Sequence, residues 1–305
     1  MTVPDPADEG RHQPDGQELW NESYYMDFTT ADGTLGGYIR IGLYPALGVA
    51  WYWACVVGEG RPLVTVIEHE APLPSGPRSL ELRSEGLWCD HTVEEPFDHF
   101  TLGLEAFGVA LDDPAEVYRS GGARGDRAAL GFDLEWETDG GVYPYPGVTR
   151  YEVPCRVHGE VLVGNERIDF DGHGQRDHSW GTRDWWTFGW VWTAGRLDDG
   201  TRFHGSDIRI PNLDIEFGYV VAPDEELRAA TGFDAQEELG AEGFPSAARM
   251  QLDELTIEVT PLHFSPVRLD APDGRVSRFP RALCRFVEAD GRSGHGWTEW
   301  NQPQP

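Results

Sequence analysis

Strict alternation of apolar and acidic side chains limits the folds open to this chain more than any other feature of the sequence. In the clearest example, residues 129–137, the apolar members are Leu130, Phe132, Leu134 and Trp136, and the acids are Asp133, Glu135 and Glu137. A period of two places the apolar set on one face of an extended strand and the acids on the other. Similar short runs recur between turns that contain glycine, and no segment of any length has the period of a helix. The pattern predicts an all-β protein of sandwiches or barrels with little helix.

The length of the chain predicts two domains, because 305 residues exceed the size of most single β-domains. Residues 138–147 hold the densest cluster of turn-forming residues, and we place the domain boundary there. The first 16 residues are rich in Pro, Asp and Gly, which is typical of a flexible arm. The predicted organisation is an arm at 1–16, an N-terminal β-domain at 17–145 and a C-terminal β-domain at 146–305.

The chain is strongly acidic, with 24 basic and 53 acidic residues and a formal net charge of −29. Such a charge repels the phosphates of nucleic acids and of anionic membranes, so we expect neither as a partner. Lysine is absent, which excludes Schiff-base chemistry on that residue. No stretch reaches the roughly 20 apolar residues of a membrane span, and the N-terminus lacks the pattern of a signal peptide. We therefore expect a cytoplasmic protein, and the sequence leaves its oligomeric state open.

The cysteines and the common catalytic motifs narrow the range of functions further. Cys55, Cys89, Cys155 and Cys284 are widely separated, so the sequence indicates neither a structural zinc site nor a redox-active Cys-x-x-Cys pair. The chain also lacks a Gly-x-Ser-x-Gly elbow, a dinucleotide-binding fingerprint and a phosphate-binding loop. Hydrolase, Rossmann and kinase functions therefore have no support, and no cofactor is predicted.

Residues 171–186 hold the densest set of chemically active side chains, in the run Asp-Gly-His-Gly-Gln-Arg-Asp-His-Ser-Trp-Gly-Thr-Arg-Asp-Trp-Trp. Trp190 and Trp192 follow on one face of the next predicted strand. Tryptophans can wall a large apolar cavity and present their π faces to a cation. A carboxyl group buried among them has a raised pKa and can act as an acid near neutral pH. We therefore predict Asp177 as a general acid and His178 as its proton partner.

Strand alternation leaves a second interpretation of this segment open. On a regular strand Asp177 lies on the face opposite to Arg176, His178 and Trp180, unless the strand bulges or ends nearby. The cluster could then be a buried brace in which Arg176 pairs with Asp177 and Trp180 packs over them. The spacing of His173, Asp177 and His178 matches no known metal site, so no metal is predicted.

Two further pairs of residues complete the predicted site. Arg183 and Asp184 either form an ordinary ion pair or touch substrate. Trp297 and Glu299 share a strand face and could close the second barrel near residues 171–186. The predicted substrate-binding residues are Arg176, Trp180, Arg183, Asp184, Trp185, Trp186, Trp190, Trp192, Trp297 and Glu299.

The run Gly-Gln-Arg-Asp-His-Ser-Trp-Gly at 174–181, followed by Arg-Asp-Trp-Trp, resembles the carotenoid 1,2-hydratase (hydroxyneurosporene synthase) superfamily, to which AttH-like proteins are similar. The shared Asp-His-x-Trp-Gly signature corresponds to Asp177, His178, Trp180 and Gly181. The resemblance covers 159–192 and the closing Gly-x-Gly-Trp-x-Glu, and it implies a pair of lipocalin-like β-domains. Hydratases of this superfamily add water to the terminal double bond of an isoprenoid chain, and related fungal proteins are pericyclases. The resemblance therefore implies that the aspartate donates a proton to a double bond.

Together these observations predict an enzyme that protonates a double bond in a neutral hydrophobic substrate, such as a carotenoid, another terpenoid or a polyene. Trapping of the resulting cation by water would make it a lyase of the hydratase type, and loss of a proton would make it an isomerase or cyclase. The alternative is a non-catalytic carrier that holds an apolar ligand in a Trp-lined cavity. The direction in which the Asp177 carboxylate points separates the two functions.

Overall fold

The structure is a computed structural model that describes residues 4–119 and 122–304. Strand makes up 64% and helix 4% of the residues that the structure describes, which confirms the predicted all-β fold with little helix. The helical residues lie in short 3₁₀ turns at Pro6–Glu9, Pro114–Tyr118 and Ala241–Gly243. Within the described ranges, no helix has both the length and the apolar character that crossing a membrane requires.

The first sheet contains eleven antiparallel strands. They are β1 (Trp20–Thr29), β2 (Leu35–Tyr44), β3 (Val49–Gly58), β4 (Leu63–Pro72), β5 (Leu82–Ser84), β6 (Leu87–Glu95), β7 (His99–Leu111), β8 (Asp126–Thr138), β9 (Tyr143–Pro144), β10 (Arg150–Val163) and β11 (Glu166–Thr182). Their order is β4-β3-β2-β1-β11-β10-β8-β7-β6-β5, with β9 on β10. A further pairing of β4 with β7 closes the sheet into a barrel.

The second sheet is also antiparallel and follows the first along the chain. Its strands are β12 (Gly189–Leu197), β13 (Arg202–Ile210), β14 (Leu213–Val221), β15 (Arg228–Ala229), β16 (Phe233–Leu239), β17 (Pro245–Leu252), β18 (Leu255–Phe264), β19 (Val267–Asp270), β20 (Val276–Phe279), β21 (Arg281–Glu288) and β22 (Ser293–Pro303). Their order is β15-β14-β13-β12-β22-β21-β18-β17-β16. The hairpin β19–β20 is attached to this sheet by the pairing of β20 with β22. The sheet curls until Phe233 of β16 packs directly on Gly205 of β13, where a Cβ atom would overlap the aromatic ring. The two sheets are consistent with the predicted pair of lipocalin-like domains.

The change from one sheet to the other lies between Thr182 and Gly189, not at the predicted domain boundary of 145/146. The turn-rich stretch 138–147 instead connects β8 to β10 within the first sheet, and it contains the short strand β9. Turn residues end a strand, but they carry no information on which strand the chain pairs with next. The strand that carries the Asp-His-x-Trp-Gly signature, β11, therefore belongs to the first barrel, between β1 and β10.

The N-terminal segment 4–16 packs against the first barrel, which corrects the prediction of a flexible arm. Asp5 caps the 3₁₀ turn Pro6–Glu9 by accepting a hydrogen bond from the Ala7 amide. Glu9, at the end of this turn, is only 2% exposed and forms an ion pair with Arg176 of β11. Proline and aspartate here define a capped turn, and one buried acid anchors it.

Apolar side chains form a core inside each barrel and a third core between them. The third core contains six of the twelve tryptophans: Trp51, Trp53, Trp185, Trp186, Trp192 and Trp297. Tyr25 and Tyr38 from the first sheet and Leu283 from the second pack among them. Most of the tryptophans in residues 171–192 therefore pack in the contact between the two barrels. Since they are buried there, a ligand site that uses them is expected at the edge of this contact.

Candidate functional site

Strand β11 is regular along the signature, and this regularity decides where each side chain points. Its pairing with β1 runs without a slip from Met26↔Arg176 to Trp20↔Thr182, and its pairing with β10 is continuous. Neighbouring residues therefore alternate between the interior of the first barrel and its outer surface. The interior receives Arg176 and His178, and the outer surface, toward the second barrel, receives Gln175, Asp177 and Ser179.

A cleft of about 320 Å³ opens at the border between the two barrels. Predicted residues on its wall are Trp180, Arg183, Asp184, Trp190, Trp192 and Glu299. Residues on its wall that the sequence argument missed include Tyr145, Arg150, Phe188, Ser206, Ile208 and Phe217. The cleft thus joins the end of β11 and the 183–190 connection to strands of the second sheet.

Asp177 is not itself a wall residue of this cleft, but it lies beside the cleft and is hydrogen-bonded to the wall residue Arg150. Arg150 Nη2 donates a hydrogen bond of 2.8 Å to Asp177 Oδ2, and Asp177 is 6% exposed. Burial raises the pKa of Asp177 to about 7, with Arg150 lowering it and Glu152 raising it. The carboxyl group can therefore hold or release a proton near neutral pH. Its partner is Arg150, not the Arg176 of the predicted brace.

Glu152, one strand away from Asp177 in the register, ties the two barrels together under the cleft. It is fully buried and accepts hydrogen bonds from Arg150 Nε at 2.8 Å, Gln175 Nε2 at 2.9 Å and Trp192 Nε1 at 3.0 Å. These donors come from β10, β11 and β12, and so from both sheets. The network satisfies a buried charge and fixes Arg150 next to Asp177.

His178 lies inside the first barrel and does not contact Asp177, which corrects its predicted role as proton partner. Its Nε2 is 2.7 Å from Glu22 Oε1, its Nδ1 is 3.1 Å from the Tyr151 hydroxyl, and its ring stacks on Tyr24 at 3.9 Å. Burial acts to raise the pKa of Glu22, but hydrogen bonds from His12 and His178 lower it to about 2. His178 and Asp177 do not meet because adjacent residues of an unbulged strand point to opposite faces of the sheet.

Arg176 is also an interior residue and does not line the cleft. Its Nη1 donates to Glu9 Oε1 at 2.8 Å, and its guanidinium lies over the ring of Phe100. Trp180 borders the cleft, and its ring stacks on His12 at 3.7 Å. Arg176 therefore anchors the N-terminal segment, and Trp180 connects that segment to the cleft.

Three of the predicted tryptophans are interface residues that lie outside the cleft wall. Trp185 Nε1 donates to the Tyr44 hydroxyl, Trp186 Nε1 donates to the Leu269 carbonyl, and Trp297 Nε1 donates to the Phe28 carbonyl. Buried indole N–H groups need such partners, and here they are found across or near the barrel contact. The density of tryptophan in 180–192 thus reflects packing between barrels as much as a ligand wall.

Among the charged residues of the cleft, Arg183 has the most unused hydrogen-bonding capacity. Its Nη2 donates to Ser179 Oγ at 3.0 Å, and within the described part of the chain no carboxylate lies at ion-pair distance from it. Burial lowers its pKa to about 10, as do Arg150 and Arg40 nearby. Glu299, in contrast, is bound by Trp190 Nε1 at 3.1 Å and by Arg281 at 2.6 Å. Asp184 accepts from the Trp186 amide and from Arg275, so it does not pair with Arg183.

Sequence reasoning missed Arg150 and Tyr145 because they lie 27 and 32 residues before Asp177, in a stretch rich in turns. The register Glu152↔Asp177 brings them to the site. Burial lowers the pKa of His204 to about 3, so its ring is neutral. Its Nδ1 faces the Thr193 carbonyl and carries the ring hydrogen, so its Nε2 accepts a hydrogen bond of 2.7 Å from the Tyr145 hydroxyl. The one sequence signal for these residues was the spacing of Arg150 and Glu152, because residues two apart lie on the same face of a strand.

Solved structures with the same fold cover nearly all of this chain. The Nitrosomonas europaea protein NE1406, a candidate AttH, has a TM-score of 0.66 and 17% identity over 98% of this chain and 97% of its own. Kievitone hydratase from Nectria haematococca has a TM-score of 0.62 and 11% identity, with 99% and 96% covered. CghA, crystallised with Sch210972, has a TM-score of 0.56 and 10% identity, with 97% and 94% covered. At these identities the likeness establishes a shared fold.

Sequence comparison is informative at the level of the family. No curated protein matches this chain in sequence. The model of one family matches residues 5–304. That match spans both barrels and the docked N-terminal segment, so the family corresponds to the whole two-barrel unit. The chain belongs to the family described as a domain of unknown function, DUF7064.

Proposed function

We propose that this protein is an enzyme that protonates a double bond of a neutral hydrophobic substrate in the cleft between the barrels, with Asp177 as the acid. One observation carries the proposal: a buried carboxyl group with a pKa of about 7 lies beside a cleft and is hydrogen-bonded to its wall residue Arg150. An acid is most effective when its pKa is near the working pH. Hydratase activity in a protein of the same fold, kievitone hydratase, supports this class of reaction.

The proton would pass from Asp177 to one carbon of the double bond and leave a carbocation on the other. The faces of Trp190 and Trp192 on the cleft wall can stabilise that cation. Arg150 would stabilise the carboxylate left behind, through the 2.8 Å hydrogen bond that it already donates. Attack by water, with return of a proton to Asp177, completes a hydration. Loss of a proton from a neighbouring carbon to the Asp177 carboxylate gives an isomer. Attack on the cation by a second double bond of the substrate forms a ring, and proton loss from the new cation then gives a cyclised product.

The composition of the cleft wall supports a hydrophobic substrate. Trp180, Ile208 and Phe217 join the two tryptophans above in presenting apolar surface, which favours an isoprenoid or polyene-like molecule. Arg183 can donate hydrogen bonds to one acceptor, such as a carbonyl or hydroxyl oxygen. One free guanidinium in a chain of net charge −29 is too little for a diphosphate.

The test measures proton delivery without assuming the product. The protein is incubated in D₂O with a panel of neutral isoprenoids, polyenes and fatty acids, and mass spectrometry follows deuterium at carbon. Asp177→Asn should reduce deuterium incorporation by about 10²–10⁴-fold and leave ligand affinity unchanged. Asp184→Asn is the matched control, because Asp184 is a carboxylate on the cleft wall itself but has a lowered pKa and cannot serve as an acid near neutrality. Incorporation by Asp177→Asn at the parent rate would rule out Asp177 as the acid.

A carrier protein is the second candidate, and the hydrogen bonding of Asp177 favours it. Arg150 links Asp177 to Glu152, and Glu152 accepts from Trp192 of the second sheet, so this set can be a brace between barrels. In a carrier, the parent protein would bind panel members tightly and incorporate no deuterium. Asp177→Asn would then lower stability by less than the roughly 3–5 kcal/mol of an unpaired buried charge, because Arg150 keeps its ion pair with Glu152.

A further inference from the structure

A cluster of His12, Glu22 and His178 lies inside the end of the first barrel, under the N-terminal segment. His12 Nδ1 is 2.8 Å and His178 Nε2 is 2.7 Å from the same oxygen, Glu22 Oε1. All the candidate ligand atoms lie within 4.8 Å of one another. We propose that these residues form a binding site for a divalent transition-metal ion of the Zn²⁺ type, which fastens the N-terminal segment to strands β1 and β11.

The donor set suits zinc and disfavours the hard cations. Two imidazole nitrogens and one carboxylate oxygen are common zinc ligands, with metal–ligand distances of about 2.0–2.2 Å. Tetrahedral geometry at those distances separates the ligand atoms by about 3.3 Å, so each contact with Glu22 would lengthen by only about 0.5 Å. Mg²⁺ and Ca²⁺ require mostly oxygen ligands and fit this cluster poorly.

Groups around the cluster orient both imidazoles as the outer shell of a metal site does. Asp8 Oδ1 is 3.4 Å from His12 Nε2, and the Tyr151 hydroxyl is 3.1 Å from His178 Nδ1. The nitrogen of each ring that does not face Glu22 thus has a partner of its own, and the other nitrogen of each ring is directed at the same oxygen, Glu22 Oε1. The backbone N–H of His12 donates to Glu22 Oε2 at 2.6 Å and holds the carboxylate in place.

Packing holds the three side chains in place and leaves the cluster partly exposed at His12. The side chains of Glu22 and His178 are each 1% exposed, whereas that of His12 is 21% exposed, so an ion can enter past His12. Trp180 stacks on His12, and Tyr24 stacks on His178. With three protein ligands, a tetrahedral ion would take a water molecule as its fourth ligand.

The experiment uses the full chain without an affinity tag, treated with chelator and then titrated with Zn²⁺ by isothermal calorimetry. We expect one Zn²⁺ per chain and a rise in melting temperature on binding. His12→Phe keeps an aromatic ring against Trp180 but removes one ligand, and it should weaken binding by about 100-fold or more. His99→Phe is the matched control, because His99 forms a comparable 2.7 Å contact with Glu135 but has no second histidine. It should bind Zn²⁺ as the parent does.

Parallel titrations with Co²⁺ and Mg²⁺ give a readout that needs no variant. The parent should develop the visible absorption of Co²⁺ in a low-symmetry nitrogen and oxygen site, and Mg²⁺ should neither bind nor displace it. Absence of stoichiometric Zn²⁺ binding by the parent, or equal binding by His12→Phe, would overturn the proposal. The Asp177 carboxylate lies on the opposite face of β11 from His178, and the proposed reaction uses no metal ion, so this outcome leaves the proposed function untouched.

Discussion

The ion pair between Glu9 and Arg176 offers the sharpest test of whether the N-terminal segment is part of the fold. Glu9 is 2% and Arg176 is 4% exposed, so both charges are out of water. Both carboxylate oxygens of Glu9 accept from Arg176 Nη1, at 2.8 and 3.2 Å, and Oε1 also accepts from the Phe97 amide at 3.1 Å. We expect Glu9→Ala to destabilise the protein substantially.

The magnitude follows from the partners that Arg176 would lose. Among the residues that the structure describes, no other carboxylate lies at ion-pair distance from Arg176, and its Nε has no hydrogen-bond partner. Removal of Glu9 therefore leaves a buried charge without compensation, which costs about 3–5 kcal/mol in comparable cases. At roughly 2–4 °C per kcal/mol, the first melting transition should fall by about 6–20 °C.

Differential scanning calorimetry measures this change, with two companion variants. Glu166→Ala removes an ion pair with Arg61 in which the glutamate side chain is 57% exposed, and it should cost no more than about 1 kcal/mol. The double change Glu9→Leu with Arg176→Met replaces both charges by apolar groups and should recover most of the stability. If Glu9→Ala melted within the range of Glu166→Ala, the segment would be a loose arm after all and the reasoning from burial would be refuted.

Two further predictions concern the acid and the strand that carries it. Because burial raises the pKa of Asp177 to about 7, the protonated acid predominates below that pH. Turnover should therefore fall about tenfold per pH unit above pH 7. Activity that stayed level to about pH 9 would contradict the assignment of Asp177 as the acid. A Cβ at Gly174 would overlap the Asp27 carbonyl oxygen, so Gly174→Ala should lower stability by about 1–3 kcal/mol in chemical denaturation, whereas Gly76→Ala, with its nearest contact at 3.5 Å, should change it little.

The sequence by itself determined the fold class and the segment that carries the candidate site. Alternation such as that of 129–137 is a local property, because the two faces of a strand are set by the chain geometry of each residue pair. The same rule predicted that Asp177 and His178 face opposite ways, although the predicted chemistry required them to meet. In β11 the rule held, and the register with β1 and β10 contains no slip there.

Tertiary structure alone decided which residues surround Asp177 and His178. Arg150 reaches Asp177 because β10 pairs with β11, and Glu22 and His12 reach His178 because β1 pairs on the other side and the N-terminal segment folds over the barrel end. Each strand offers the same backbone hydrogen bonds to any partner, so local sequence does not specify the neighbour. The neighbour is selected by burial of side chains summed over the whole barrel, including residues more than a hundred positions apart. For that reason the sequence located the motif, and only the folded chain separated the face toward the cleft from the face inside the barrel.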